Sequence, residues 1–533
     1  MVNYISEVYL VMAMFPNKIR LVILILFLLL ICVFPAWGAT YFASTDGSGT
    51  ICSQSNPCRL DYAVESKATF GDTVNINDGT YTIGQLVVPA GVSLVSTSQD
   101  YTKVKLQPNT SMSTSNPFIL LSSAAGSNGN QTISYIEVDG INGSNIARIG
   151  IGVQSRNNVR IHHCYIHDFY GTNNAATVEV KSLQVSPTSS WWTYWPADPQ
   201  ADGTDTNINA LWPSNPVENF ELDNNEIDDG GYYNGTTTSH GSVALWHLKN
   251  SSIHDNIFNN TTSRGQAITG RGGKTALLWN VDIYNNTFTM GAKYTTRTNF
   301  AIEIWVMRGG CEIYNNQGTW FYSITVGKDT SIHDNSLTIS PEETSRSIGI
   351  EFNLQSYGSI YKNYVVNAVR GTSVGLGSEH QDKNYICENT KVYNNTFVSP
   401  FYNAIYIKSF GGLKLANTNT TRYIDAYNNI LVGPGSYGIG IQQQNNTGTG
   451  VLDHVNIDGN IITDFTGYAG KTIGTVSILT IDNNQFYGNG DNSWSGSTDT
   501  NTITTDPGLT DLTAPPPINS TVLAAPQKLV IIK

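Results

Sequence analysis

Two glutamates occupy matching frames in this chain: Ala-Ile-Glu-Ile-Trp at 301–305 and Gly-Ile-Glu-Phe-Asn at 349–353. Apolar residues alternate with polar ones in each frame, which is the period of an extended strand with one buried face. The isoleucines then turn inward, and Glu303 and Glu351 turn outward. Stacking the two frames with Ser-Ile-Thr-Val-Gly (323–327) between them places Thr325 in the intervening slot and the two backbones about 9.6 Å apart, two steps of about 4.8 Å. Carboxyl groups about 6.5–9.5 Å apart can divide acid–base work: one protonates a leaving group while the other activates a water. The competing reading is a pair of ordinary surface carboxylates, solvated or paired with arginine.

The same outward slot of neighbouring frames carries Glu179 and Lys181, Trp246, Thr269 and Arg271, Trp305, Asn353, and Tyr406 and Lys408. Glu303, Glu351 and Arg271 are therefore the candidate catalytic residues, Arg271 as a contact to substrate. Trp246, Trp305, Tyr406 and Lys408 are candidate substrate-binding residues. Trp-Trp-Thr-Tyr-Trp (191–195) adds Trp191, Trp192 and Trp195, in an insertion at about 182–219 that leaves the chain just after Lys181. Long loops on a repetitive scaffold are commonly functional. The insertion is expected to wall a groove over Glu303 and Glu351, or else to anchor itself by burying its rings.

A repeat must position these residues. The pattern apolar-x-apolar-x-x-Asn-x-apolar recurs in FELDNNEI (220–227), VDIYNNTF (281–288), KVYNNTF (391–397) and LTIDNNQF (479–486), among others. Its asparagines are Asn225, Asn256, Asn286, Asn316, Asn335, Asn363, Asn395, Asn429, Asn460 and Asn484, spaced 19 to 34 residues apart. Short strands at this period, joined by tight bends, predict a stacked solenoid. The Asn is expected at the bend, where it tolerates left-handed geometry, with its side chain in a ladder from coil to coil. Two residues before each Asn, and before Cys164, which takes the Asn slot in VRIHHCYI (159–166), stands His, Asp or Tyr: His162, Asp223, His254, Tyr284, Tyr314, His333, Tyr361, Tyr393, Tyr427, Asp458 and Asp482. That column reads either as a stripe suited to a sheet surface or as flat rings for stacking on sugar.

Composition excludes other classes. The chain has 533 residues, only 13% of them charged, and a net charge of −12. Nucleic acid is therefore not an expected partner. Lys18 and Arg20, the apolar run Leu21–Phe34 and Ala36-Trp37-Gly38 predict a signal peptide over 1–38, cut before Ala39. The run is short for a membrane span, so no membrane association is expected after cleavage. Cys52 and Cys58 bracket CSQSNPC and predict a local disulfide in an exported chain. Cys164, Cys311 and Cys387 read as small buried residues. His162, His163, His167 and Asp168 form the densest histidine cluster, but alternation in a strand turns His162 and His163 opposite ways, so no metal site is expected.

The entrance TYFASTDGSGTICSQSNPCRLDYAVESKATFGDTVNINDGTYT (40–82), together with the Asn repeats, resembles the secreted pectate-lyase-like superfamily of right-handed parallel β-helices. The resemblance covers about residues 40–490. It implies an extended first strand (40–44), a Gly/Ser loop (46–56), a capping helix (60–67) and a Gly-Asp-Thr-Val strand (71–74). It also implies a polysaccharide as partner. Among the families resembled, lyases abstract a proton with Arg or Lys and are helped by Ca²⁺, so Ca²⁺ enters only if the chain is a lyase, with Arg271, Lys274 and Lys408 available. No other cofactor is expected. Asp228-Asp229, His240-Gly241 and Tyr406-Ile407-Lys408 echo polygalacturonase elements, but the Asn-Thr-Asp element is absent.

The resulting expectation is an all-β protein: a single-stranded, right-handed parallel β-helix solenoid of about a dozen coils with an N-terminal cap helix. Its parts are a signal peptide (1–38), a cap (39–70), the β-helix (71–504) and a Pro-rich tail (505–533). The expected protein is a secreted or cell-surface monomer acting on polysaccharide, as a glycoside hydrolase or a polysaccharide lyase. The alternative is a non-catalytic glycan-binding or structural β-helix.

Overall fold

A computed structural model describes residues 38–109, 116–141, 147–171, 175–183, 215–232, 241–260, 266–270, 277–290, 300–319, 321–339, 348–378, 384–414, 416–498 and 500–509. Strands from successive coils pair in parallel into a 29-stranded sheet and a 14-stranded sheet, with a small two-stranded sheet beside them. Each coil returns to the same sheet after one circuit, and such parallel crossovers are right-handed by the twist of L-residue strands. The chain is thus a right-handed parallel β-helix.

Alternation fills the barrel. Val178, Val180, Ile302, Ile304, Ile405 and Ile407 are fully buried and join one continuous core running from Ala43 to Trp494. Phe258 and Phe288 stack inside it, centroids 5.0 Å apart. The inner column of the second sheet breaks at Gly318, which is paired with Phe288 at a backbone φ of 143°. A side chain there would strike the Phe288 carbonyl. The Tyr322 ring, packed edge-on 6.3 Å from Phe288, belongs to the opposite sheet.

The Asn ladder forms over all ten positions. From Asn225 to Asn460 each side-chain nitrogen donates to the Oδ1 of the next ladder Asn at 2.9–3.0 Å. The same Oδ1 accepts from the backbone N–H of the Asn one coil before it at 2.9–3.2 Å. One detail of the expectation is corrected. The left-handed residue is the one before each ladder Asn: Asn224, Asp255, Asn285, Asn315, Asp334, Lys362, Asn394, Asn428, Gly459 and Asn483 lie at φ between 52° and 61°. That bend turns the following Asn into the core, where the ten side chains are at most 2% exposed.

The expected capping helix is also corrected. Helical structure among the described residues is limited to residues 60–67, of which the last six, Tyr62–Lys67, wind as a π-helix, and one 3-10 turn, Tyr101–Lys103. Ala63 and Val64 of the first segment are buried and its N-cap side chain makes no capping bond, while Glu65 Oε1 ties it to the barrel by accepting from the Val87 backbone nitrogen at 2.8 Å. Cys52 and Cys58 are disulfide-bonded as expected, while Cys164, Cys311 and Cys387 are buried thiols. No helix among the described residues is long and apolar enough to cross a membrane. The signal segment, the Trp-rich residues 191–195 with Trp212, Arg271, Lys274, His240 and the Pro-rich tail beyond 509 lie outside the described residues.

Candidate functional site

The strands Ile268–Gly270, Phe300–Arg308, Phe321–Lys328, Ile348–Asn353, Arg370–Leu376 and Asn403–Phe410 stack in register on the larger sheet. Pairing runs Thr269–Glu303–Ser323–Glu351–Ser373–Tyr406–Gly440. Glu303 and Glu351 therefore share a slot two strands apart, as expected. The residue between them is Ser323, not Thr325. Thr325 lies two positions further along its strand, because the first residue of SITVG, not its third, aligns with the third residue of AIEIW.

This column faces away from the core, yet it is shielded. Glu303, Asn353, Tyr406 and Lys408 are each at most 8% exposed. Ser373 is fully buried, and Glu351 is half-buried. Charged side chains are rarely this buried without partners. The partners are specific. Trp305 Nε1 donates to Glu303 Oε1 at 3.2 Å, and Gln266 Nε2 donates to the other Glu303 oxygen. Lys408 Nζ stands 3.7 Å from Glu351 Oε1. Lys181 pairs with Glu179 at 2.6 Å further along the face. The Arg370 guanidinium lies over the Tyr406 ring, 4.5 Å from its centroid, and the Tyr406 hydroxyl donates to Gln442. Burial pushes the Tyr406 hydroxyl up to about 12, against a smaller opposing pull from Arg370, so it stays a neutral donor.

The column also holds hydrogen-bonding capacity that the protein leaves unmet. Buried Gln266 Oε1, Asn353 Oδ1, Ser373 Oγ and Arg370 Nε have no hydrogen-bond partner among the described residues. Gln266 touches Glu303, Ser373 pairs with Glu351 in the strand register, and Asn353 is two residues beyond Glu351 on the same strand. Native interiors satisfy nearly all such groups, so a cluster of exceptions marks a place where a polar molecule can bind. Gln266 and Ser373 were not singled out from the sequence. Ser373 belongs to the outward column, and its position in register was the signal that could have found it; Gln266 precedes the strand Ile268–Gly270 and reaches Glu303 through its side chain, which no spacing announces.

The Tyr/His column behaves differently. His254, Tyr284, Tyr314, His333, Tyr361, Tyr393 and Tyr427 stack nearly parallel, centroids 4.5–5.1 Å apart. Each interior ring has both faces covered by its neighbours, so only edges meet solvent and a sugar ring has no face to stack on. Burial pushes the Tyr314 and Tyr361 hydroxyls up to about 12.

The histidine cluster also departs from expectation. His163 adopts φ 53°, which breaks strand alternation and brings its Nδ1 to 2.8 Å from that of His162. His167 sits apart from them, bonded to Glu137 at 3.1 Å and Asp168 at 2.9 Å. Two acidic groups with a histidine do assemble, Glu137–Asp139–His167 and Glu221–Asp223–His254. Each already holds a protein cation: Lys105 is 2.6 Å from Glu137 and 2.9 Å from Asp139, and Arg160 is 2.7 Å from Asp223. Asp228 is on the smaller sheet, where Tyr165 donates to it, whereas Tyr406 and Lys408 are on the larger one. The Asp228 and Tyr406–Lys408 elements therefore do not converge.

No family model and no curated protein matches this chain. Solved structures of similar architecture include a mannuronic acid specific polysaccharide family 6 lyase from human gut microbiota, with 11% identity and a TM-score of 0.48 over 88% of this chain and 92% of that one. A surface adhesin of Streptococcus pneumoniae shares 14% identity at a TM-score of 0.40, over 86% and 91%. A tailspike protein of E. coli bacteriophage HK620, solved with a pentasaccharide, shares 14% at 0.41, over 72% and 58%. These likenesses concern architecture and do not extend to chemistry.

Proposed function

We propose that the protein is an exported polysaccharide-cleaving enzyme whose site is the Glu303–Glu351 column. The observation that carries this reading is the shielded polar face: two carboxylates in one register slot, flanked by buried amide and hydroxyl groups whose bonding capacity is unmet. A polyhydroxylated ligand supplies both donors and acceptors for such a face. Glu351, whose Oε1 stands 3.7 Å from the Lys408 ammonium, serves as base. Glu303, held by indole and amide donors, serves as acid. The half-buried Trp246 and Trp305 in the adjacent column offer apolar surface to sugar rings. Arg271, Trp191, Trp192 and Trp195 keep their assigned roles in substrate contact as part of this proposal.

The test incubates the purified exported chain with a polysaccharide panel and follows reducing ends and ultraviolet absorbance together. New reducing ends without unsaturated uronate, abolished by Glu303→Gln, are the expected result. Absorbance rising with reducing ends would make the chain a lyase and transfer the base role to Arg271 or Lys408, with Ca²⁺ dependence to be measured by chelation. Binding without cleavage would replace the enzyme with a glycan-binding β-helix.

A further inference from the structure

The first strand, Thr40–Ala43, pairs with Thr73–Ile76 at the open end of the solenoid. Just before it, the backbone nitrogen of Ala39 donates to Asp72 Oδ1 at 2.6 Å. The other Asp72 oxygen accepts from the Thr69 backbone nitrogen at 2.7 Å and from Thr69 Oγ1 at 2.9 Å. Asp72 is only 6% exposed, whereas Ala39 is exposed. Burial works to raise the Asp72 carboxyl, but the three donors outweigh it and hold the group below its ordinary value, so it is a carboxylate. The Thr73 N–H, donating to the Ala39 carbonyl at 2.9 Å, fixes Ala39 in place from the other side. Gly38 has no room for a side chain beside the Gly71 carbonyl.

The sequence independently places a leader cleavage between Gly38 and Ala39, with Ala36 and Gly38 as the small residues required. The nitrogen that such a cut would free is the one already bonded to Asp72. We infer that Asp72 is the receptor for a processed N-terminus: hydrolysis of the Gly38–Ala39 peptide bond gives a Gly38 carboxylate and an Ala39 α-ammonium, and that ammonium locks the first strand through a shielded ion pair. In the uncut chain the same atom is a neutral amide. Cutting converts a neutral donor into a cationic one and so adds charge–charge attraction to the bond. Asp72 thereby couples leader removal to closure of the solenoid's first coil.

The full chain, produced with its own leader in an exporting host, should have an intact mass that begins at Ala39. Acylation of that α-amine at neutral pH should run about tenfold slower than in Asp72→Asn, because each unit of raised amine pKa removes tenfold of the reactive free base. If Asp72→Asn does not fold, the unmutated chain beginning at Gly38, released from a cleavable tag, replaces it. Its displaced amine should then react about tenfold faster than that of the Ala39 form. A mature start anywhere other than Ala39, or equal acylation rates, overturns the inference.

Discussion

Two outward columns of the same sheet differ in one respect. The Tyr/His column repeats nearly the same residue in every coil, and the Glu303 column changes residue at every step. Repetition closes on itself: from Tyr284 to Tyr393 each ring takes its two neighbours as partners, as each ladder Asn within the core does. Variation does not close on itself. The Glu303 column runs Thr, Glu, Ser, Glu, Ser, Tyr, Gly, and Ser373 within it and Gln266, Asn353 and Arg370 beside it keep unmet capacity. A solenoid builds its framework where coils agree, and it has room for a site where they disagree.

Substitutions can break this contrast. The largest effect is expected from Glu351→Gln, which should lower cleavage by about 10²–10⁴-fold, the usual contribution of a general acid or base. The unfolding midpoint should barely move; a large drop in stability with unchanged turnover would place the site elsewhere. Asn316→Ala should do the reverse. It strands the carbonyls of Ile283 and Tyr314 and the amide of Asn286, at a cost of about 2–4 kcal/mol read by urea unfolding, with the per-molecule rate intact. Tyr314→Ala removes two ring stacks and should cost about 1–2 kcal/mol, again sparing the rate.

The smallest effect concerns pH. Burial raises the Asp228 carboxyl from 3.8 to about 6, against a partial counter-pull from the Tyr165 hydroxyl, while nearby Glu226 adds to the rise. The folded state therefore holds this proton more tightly than the unfolded state. Its stabilising contribution is complete below about 3.8 and is lost as pH climbs through about 6. Asp228→Asn should raise the melting temperature at pH 7 and leave it little changed at pH 4. A gain of equal size at both pH values would mean that packing, not titration, is responsible.

The repeat made much of the architecture legible. Ten Asn positions, the inward isoleucines and the Tyr/His column followed from the period, because each depends on local geometry copied from coil to coil, and the pairing of Cys52 with Cys58 followed from their short separation. Register between unlike frames did not follow. Ser323, not Thr325, stands between Glu303 and Glu351, since strand pairing is set by the bends that enter each strand. His163 escaped for a related reason, as a left-handed backbone cancels the alternation on which any face assignment rests. The capping helix reduced to a short π-helical segment, since a resemblance in sequence carries no guarantee of helical packing. The sequence by itself therefore determined that this chain is a β-helix with acidic, aromatic frames on one outward column. Only the tertiary structure decided that the column is shielded, that Lys408 stands at Glu351 and Trp305 at Glu303, and that neighbouring polar groups remain unmet. Burial and pairing between distant coils are properties of the stack, and no single frame contains them.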